Sequence, residues 1–379
     1  MRPETRVWLG AHPITYPLIR GLARLGPVVR VPRVGIVVSD ADIAREVLLD
    51  TARFTKTGPG SPADLWTPVV GPTVLLNMEG DAHAQLRRKL AGLFTPRAVR
   101  ELCTRVAAEQ VAGMRSVLDA GGTVDVVAEA QRLAGAVIAE LVGLDAGRSA
   151  DAFAAATAIT GMVRLARPRL TPRQVERGRT AMAVLTGPAT TAYRAGDPGT
   201  VPGRMRELGL TEEEALGAVA AFALTGTETL VSFVPRLASL VAESGWLERL
   251  AADPAVMDTV IAEALRVTVP SPVMLRSVAA PTTVGGTAVQ PGERVVIATV
   301  SAARGGRPDF DPSRTPKPAV GGLWFGAGVH FCLGMPLALA EIRTLLDVLV
   351  TTAPLRIVRR RVARGVLIPA YRELVVRRA

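Results

Sequence analysis

The feature that most constrains this fold is a helical pattern that opens at Thr211 and does not stop for roughly 30 residues. Thr211-Glu212-Glu213-Glu214 reads as a capping box, in which a hydroxyl and a carboxylate three residues apart satisfy each other's free backbone N–H groups. From there the pattern runs to about Ala242, or roughly 45 Å at about 1.5 Å per residue. That is long for a globular helix, and any fold must accommodate it. Its middle, ALTGTETL, contradicts its length: Thr225, Gly226, Thr227 and Thr229 are poor helix formers beside an acidic residue, Glu228. Two explanations stay open, a packing glycine with threonines bonding back to the helix or a functional site that overrides local propensity.

At 379 residues and 49% hydrophobic the chain can bury a large core, and length alone would admit two or three domains. It has no Ser/Gly-rich linker, low-complexity run or internal repeat, so one unit spanning residues 1–379 is expected. Helical periodicity dominates, while residues 28–38, 282–300 and the C-terminal segments read as short strands around Gly and Pro turns. The expected fold class is mainly α with small β-sheets. The first residues carry Arg2, Glu4, Arg6 and prolines rather than the apolar core of a signal segment. The uncharged run Ala215–Thr227 is stopped by Glu228, short of the ~18 residues a membrane span needs. A cytoplasmic monomer without a membrane anchor is expected. The balance of 45 − 34 = +11 raises nucleic acid as a partner, but the basic residues are scattered and aromatics are 4%, so stacking platforms are scarce and no nucleic acid is expected.

The stretch FGAGVHFCLG, residues 325–334, places one of two cysteines and one of three histidines inside a glycine-rich turn. A disulfide between Cys103 and Cys332 fits poorly with so few thiols. Zinc would want about four ligands, and the chain offers two Cys, three His and no CxxC pair. The spacing is not GxGxxG, and no Lys-Ser or Lys-Thr follows, so a phosphate cradle also fits poorly. Gly326, Gly328 and Gly334 tolerate positive φ and the close approach of another body. Exposed amides can stabilise a thiolate, which makes cysteine-held haem iron the leading candidate over a merely buried thiol.

At every fixed position these ten residues match Phe-Gly-x-Gly-x-His-x-Cys-x-Gly, so the chain resembles the cytochrome P-450 monooxygenases. Three weaker motifs extend the resemblance. Glu-x-x-Arg occurs three times, as Glu129/Arg132, Glu176/Arg179 and Glu263/Arg266. The third lies in a segment with an N-cap Asp253, Pro254 and an apolar stripe, 332 − 263 = 69 residues before the cysteine. The resemblance makes Glu263 and Arg266 structural. It makes ALTGTETL the oxygen-binding bend, with Gly226 as the bend, Glu228 the acid and Thr229 the alcohol that deliver protons. His83 and Arg87, followed by Phe94-Thr95-Pro96-Arg97, with Arg276 and His330, take the positions that hold the haem propionates, and Phe325 belongs to the cofactor loop. Ala221, Thr225, Pro272 and Val273 would line the substrate pocket, with the loop 58–76 and a helix 149–165 along the access route.

The resemblance implies haem b held by Cys332, O2 as co-substrate, and insertion of one oxygen atom into an apolar small molecule. No flavin or nicotinamide domain is evident, so electrons would come from NAD(P)H only indirectly, through a ferredoxin and its reductase. Arg88, Lys89, Arg97 and Arg100 would offer such an acidic donor a basic rim. A peroxide-driven haem-thiolate enzyme and a non-enzymatic haem sensor or carrier are the rivals. Three departures stand out: Thr225 replaces a usual Ala or Gly, Ala303-Arg304-Gly305-Gly306 replaces Asn-Arg-Asp, and Met335-Pro336 follows the cysteine loop.

Overall fold

The computed structural model describes residues 2–163, 169–315 and 317–379. Helices dominate the described residues, joined by a mixed five-stranded sheet, a three-stranded antiparallel sheet and one small hairpin. The five-stranded sheet runs Val28–Val31, Gly35–Val38, Arg294–Ile297, Met274–Val278 and Phe54–Thr55 in spatial order. Its second and third strands are parallel and the other pairs antiparallel. Thr123–Asp125 and Leu355–Val362 flank Tyr371–Arg378 in the smaller sheet. The expected strands at 28–38 and in the C-terminal segments are present, but 282–300 divides into the hairpin Thr282–Val284/Thr287–Val289, the strand Arg294–Ile297 and the start of a helix, Thr299–Arg304. Three strands escaped the sequence pattern: Phe54–Thr55 and Thr123–Asp125 are two or three residues on a sheet edge and carry no measurable alternation, and the five-residue Met274–Val278 mixes apolar Met, Leu and Val with Arg276 and Ser277.

The long helix starts at its capping box, with both reciprocal bonds formed by Thr211 and Glu214. It is two helices in line, Glu212–Gly226 and Glu228–Ser244, with the break at Thr227 rather than at Gly226. The Thr225 hydroxyl donates to the Ala221 carbonyl (2.7 Å) and the Thr229 hydroxyl to the Thr225 carbonyl (3.1 Å), back-bonds that compete with the main-chain ladder and bend helices. Glu212–Ser244 does have the length and mean hydropathy of a membrane span, 1.4 over its best window, which corrects the shorter run read from the sequence. Within the protein 72% of that window is buried, as befits a core helix. Gly217 is required there, since a Cβ would collide with the Thr73 carbonyl of the crossing loop.

Buried ionic clusters tie the elements together. Glu263 and Arg266 pair at 2.6 and 2.7 Å on Met257–Thr268, while Arg266 also donates to the carbonyls of Arg304, Arg307 and Asp309, and Glu263 accepts from the Asp311 N–H. Arg304, within the departure noted above, donates to the Val267 carbonyl and to the Tyr16 hydroxyl. Gly305 and Gly306 follow at φ 50° and 75°, a left-handed pair that glycine adopts without strain. Arg236, fully buried, joins Glu4 of the N-terminal helix to the carbonyls of Thr268 and Pro369.

Candidate active site

The cysteine loop is built from two 3-10 turns, Leu323–Phe325 and Gly328–His330, with Gly326 at φ 83° and Gly328 at φ 66°. The Cys332 N–H donates to the Phe325 carbonyl at 2.9 Å and closes the loop. Gly334 departs from the expectation: its φ is −80°, which any residue adopts. A Cβ on Gly334 would meet no protein atom within 4 Å, so the glycine leaves room on the cavity side of the cysteine. Cys332 faces a cavity of about 930 Å³. Burial raises its thiol pKa, while the amides of Gly334 and Met335, Arg87 and Lys56 pull it down. Cys103 is buried in Pro96–Asp119 with its thiol pushed up to about 12 by burial, and both cysteines are free.

Beside the cysteine the cavity gathers cations. Helix Gly80–Ala91 carries His83 and Arg87 one turn apart, and both line the cavity. The His83 ring lies 4.4 Å from that of His330, centroid to centroid, and His330 Nε2 is 2.7 Å from Glu79 Oε2. Arg276, on strand Met274–Val278, is buried and donates to its neighbour's carbonyl, but its Nε and the Nδ1 of His330 have no partner among the described residues. Burial lowers the pKa of His83 to about 4 and of Arg276 to about 10. Orphaned donors, excess positive charge and a soft sulfur beside one cavity fit a flat, iron-bearing dicarboxylate such as haem. Glu79 and Lys56 belong to this cluster and were missed in the sequence, where neither sits in a recognisable spacing. Buried Glu341 also lines the cavity and was likewise missed.

The opposite wall comes from the broken helix. Ala221, Thr225, Gly226 and Thr229 line the cavity, as do Val273 and Phe325. Pro272 does not, although Ser271 and Val273 on either side of it do: it is buried with its carbonyl accepting from the Val300 N–H. Glu228 is also absent from the wall, because one residue is about 100° of helical rotation from Thr229. Its carboxylate accepts from the Thr160 hydroxyl at 3.2 Å, and burial raises its pKa against that bond. Much of the remaining wall is apolar, with Leu75, Val137, Ile138, Leu141 and Phe222, though Arg33 and Arg294 also line the cavity. The loop 58–76 contains a helix, Pro62–Val70, whose Leu65 and Trp66 reach the cavity. The expected helix 149–165 ends at Thr160; Val163 lines the cavity, and residues 164 and 165 lie outside the described residues. On the outer surface Arg88, Arg97 and Arg100 are exposed, Arg97 pairing with the exposed Glu101 at 2.7 Å, whereas Lys89 is half-buried and pairs with Glu214 at 2.8 Å.

Comparison with known proteins agrees with this geometry. The family model described as Cytochrome P450 matches residues 252–352, which hold the Glu263/Arg266 pair, Arg276 and the cysteine loop. An erythromycin C-12 hydroxylase of Saccharopolyspora erythraea is 30% identical over 82% of this chain and 80% of its own length. The cytochrome P450 monooxygenase PikC of Streptomyces venezuelae is 31% identical over 89% of this chain and 84% of its own. Among solved structures, a mutant of P450 EryK in complex with erythromycin B superposes with a TM-score of 0.81 at 25% identity, covering 97% of this chain and 96% of that one. The likeness extends well beyond the cysteine loop to most of the chain, and on it the chain belongs to the cytochrome P450 family of haem-iron monooxygenases that use O2.

Proposed function

We propose that residues 1–379 form one haem-thiolate domain that inserts one atom of O2 into an apolar small molecule of specialised metabolism, by hydroxylation or epoxidation. The observation that carries this reading is Cys332 on the cavity wall, its thiol pKa drawn down by the neighbouring Gly334 and Met335 amides against burial, with the cluster of His83, Arg87, Arg276 and His330 beside it. Cys332 would hold the iron of haem b, and that cluster would hold its propionates. The bound haem supplies oxygen activation, which a thiolate ligand promotes by pushing electron density toward O–O cleavage. Gly226 leaves the distal wall open, and Thr229 stands on it with its proton engaged by the Thr225 carbonyl. Its oxygen lone pairs therefore face the cavity and hold a proton-bearing group, such as water, in place. Glu228 stores a proton behind that wall and delivers it after turning from Thr160. The substrate meets Ala221, Thr225, Val273 and apolar neighbours, and an erythromycin hydroxylase among the relatives supports a polyketide-like molecule. Electrons come from a ferredoxin and its reductase, with NAD(P)H entering only through them, and the enzyme works as a cytoplasmic monomer.

A second reading is favoured by one observation: with Glu228 turned away from the cavity, a peroxide-driven reaction that needs no acid–alcohol relay also fits. Turnover with a ferredoxin system against turnover with peroxide alone separates the two. The iron ligand is tested by the ferrous–CO spectrum, whose strong red shift requires a thiolate. Cys332→Ser should lose that band and Cys103→Ser should keep it; the reverse would overturn the assignment.

A further inference from the structure

Lys56 occupies a place that a lysine rarely tolerates. It follows the edge strand Phe54–Thr55, whose pairing of Thr55 with Ser277 brings the next residue alongside Arg276. Its N–H donates to Glu79 Oε1 at 2.6 Å and its carbonyl accepts from the Ala63 N–H at 3.1 Å, so the backbone is fixed on both sides. The residue is 8% exposed and lines the cavity. Among the described residues its Nζ makes no hydrogen bond, yet it lies within electrostatic reach of Arg276, Arg87, Glu79 and Cys332. A buried ammonium beside two guanidiniums is costly unless an anion joins them.

The charge count says how much anion is required. Among the charged groups whose field reaches Lys56, and setting aside Cys332, whose thiolate charge the iron would take up, Arg87, Arg276 and Lys56 supply three positive charges and Glu79 one negative, so 3 − 1 = +2. Two propionates balance that sum, whereas the two arginines and Glu79 alone would leave one propionate unmatched. We propose that Lys56 is a further propionate-binding residue, whose ammonium pairs with a haem carboxylate on the side of the cavity where Arg276 stands. The proposal rests on the reading of Cys332 as the haem ligand. Burial and the neighbouring arginines hold the free lysine's pKa down to about 7, as expected of a cation awaiting its anion.

The test is the rate at which holoprotein surrenders haem to excess apomyoglobin, measured with natural haem and with haem dimethyl ester, whose carboxylates are capped. Lys56→Met should lose natural haem about 10- to 100-fold faster than wild type, the range of one charge-assisted hydrogen bond. With the dimethyl ester the two proteins should agree within about twofold. Lys56→Arg, which keeps the charge, should release natural haem as slowly as wild type, and it covers the case in which Lys56→Met fails to fold. Equal rates for wild type and Lys56→Met with natural haem would overturn the proposal, as would an equal acceleration with the ester, which would mark a packing effect. A Lys56→Arg protein that loses haem quickly in the presence of a normal thiolate band would do the same. Absence of the thiolate band in wild type would instead overturn the Cys332 reading and carry this proposal with it.

Discussion

Arg266→Met should destabilise the protein by about 3–5 kcal/mol, the cost of removing one partner from a buried ion pair. Arg266 and Glu263 are 8% and 5% exposed, so the glutamate would be left as an uncompensated buried charge. The carbonyls of Arg304, Arg307 and Asp309 would also lose a donor, which keeps the effect from falling to the bottom of that range. An unfolding entropy of about 2.1 cal/mol/K per residue gives about 0.8 kcal/mol/K for this chain, so a loss of about 4 kcal/mol lowers Tm by about 5 °C. The same motif provides an internal control. Glu129 and Arg132 share the spacing and pair at 2.9 Å, but Arg132 is 59% exposed, and Arg132→Met should cost no more than about 1 kcal/mol. Glu176 and Arg179 share it too, yet Arg179 donates to the Pro68 carbonyl instead. Urea titrations of the wild-type, Arg266→Met and Arg132→Met holoproteins followed by far-UV circular dichroism measure both costs. If Arg266→Met costs no more than Arg132→Met, burial is not what distinguishes the third Glu-x-x-Arg.

Thr229→Ala should retain haem but divert reducing equivalents to hydrogen peroxide; equal product per electron in both proteins would reduce Thr229 to a packing residue. Arg88→Glu and Arg97→Glu should slow reduction by an acidic ferredoxin at low salt and leave substrate binding intact, because exposed charges act through steering that salt screens. First-electron rates indifferent to both salt and charge reversal would move the docking face elsewhere. Burial holds the Glu341 carboxyl pKa well above its ordinary value, so the folded state keeps a proton that the unfolded chain releases. Its stabilising effect is full below about pH 4.3 and is lost as pH rises from there toward the folded pKa. Glu341→Gln should remove that decline, and stability profiles of equal slope for both proteins between pH 4 and 8 would contradict it.

The cysteine loop, the capping box and the Glu263/Arg266 pair were legible because their chemistry is set by residues close in sequence. A glycine at φ 83° or a hydroxyl that caps three residues onward needs only its neighbours to be recognised. His83 and Arg87 were legible for the same reason, being one helical turn apart. Three-dimensional packing decided the rest. Glu228 and Thr229 are adjacent, and only the rotation of the bent helix shows that one lines the cavity while the other turns to Thr160, 68 residues away. Pro272 fell outside the pocket although Ser271 and Val273 line it, because its backbone packs against the Val300 N–H, a contact no local pattern announces. Glu79 and Lys56 carry no local signature, since what makes them part of the site is desolvation and the field of Arg87, Arg276 and His330, which are gathered from distant segments. Sequence therefore determined the chemistry available to this protein, through local spacing and propensity, and tertiary structure decided which charges are buried together, because burial and electrostatics depend on distance in space rather than along the chain.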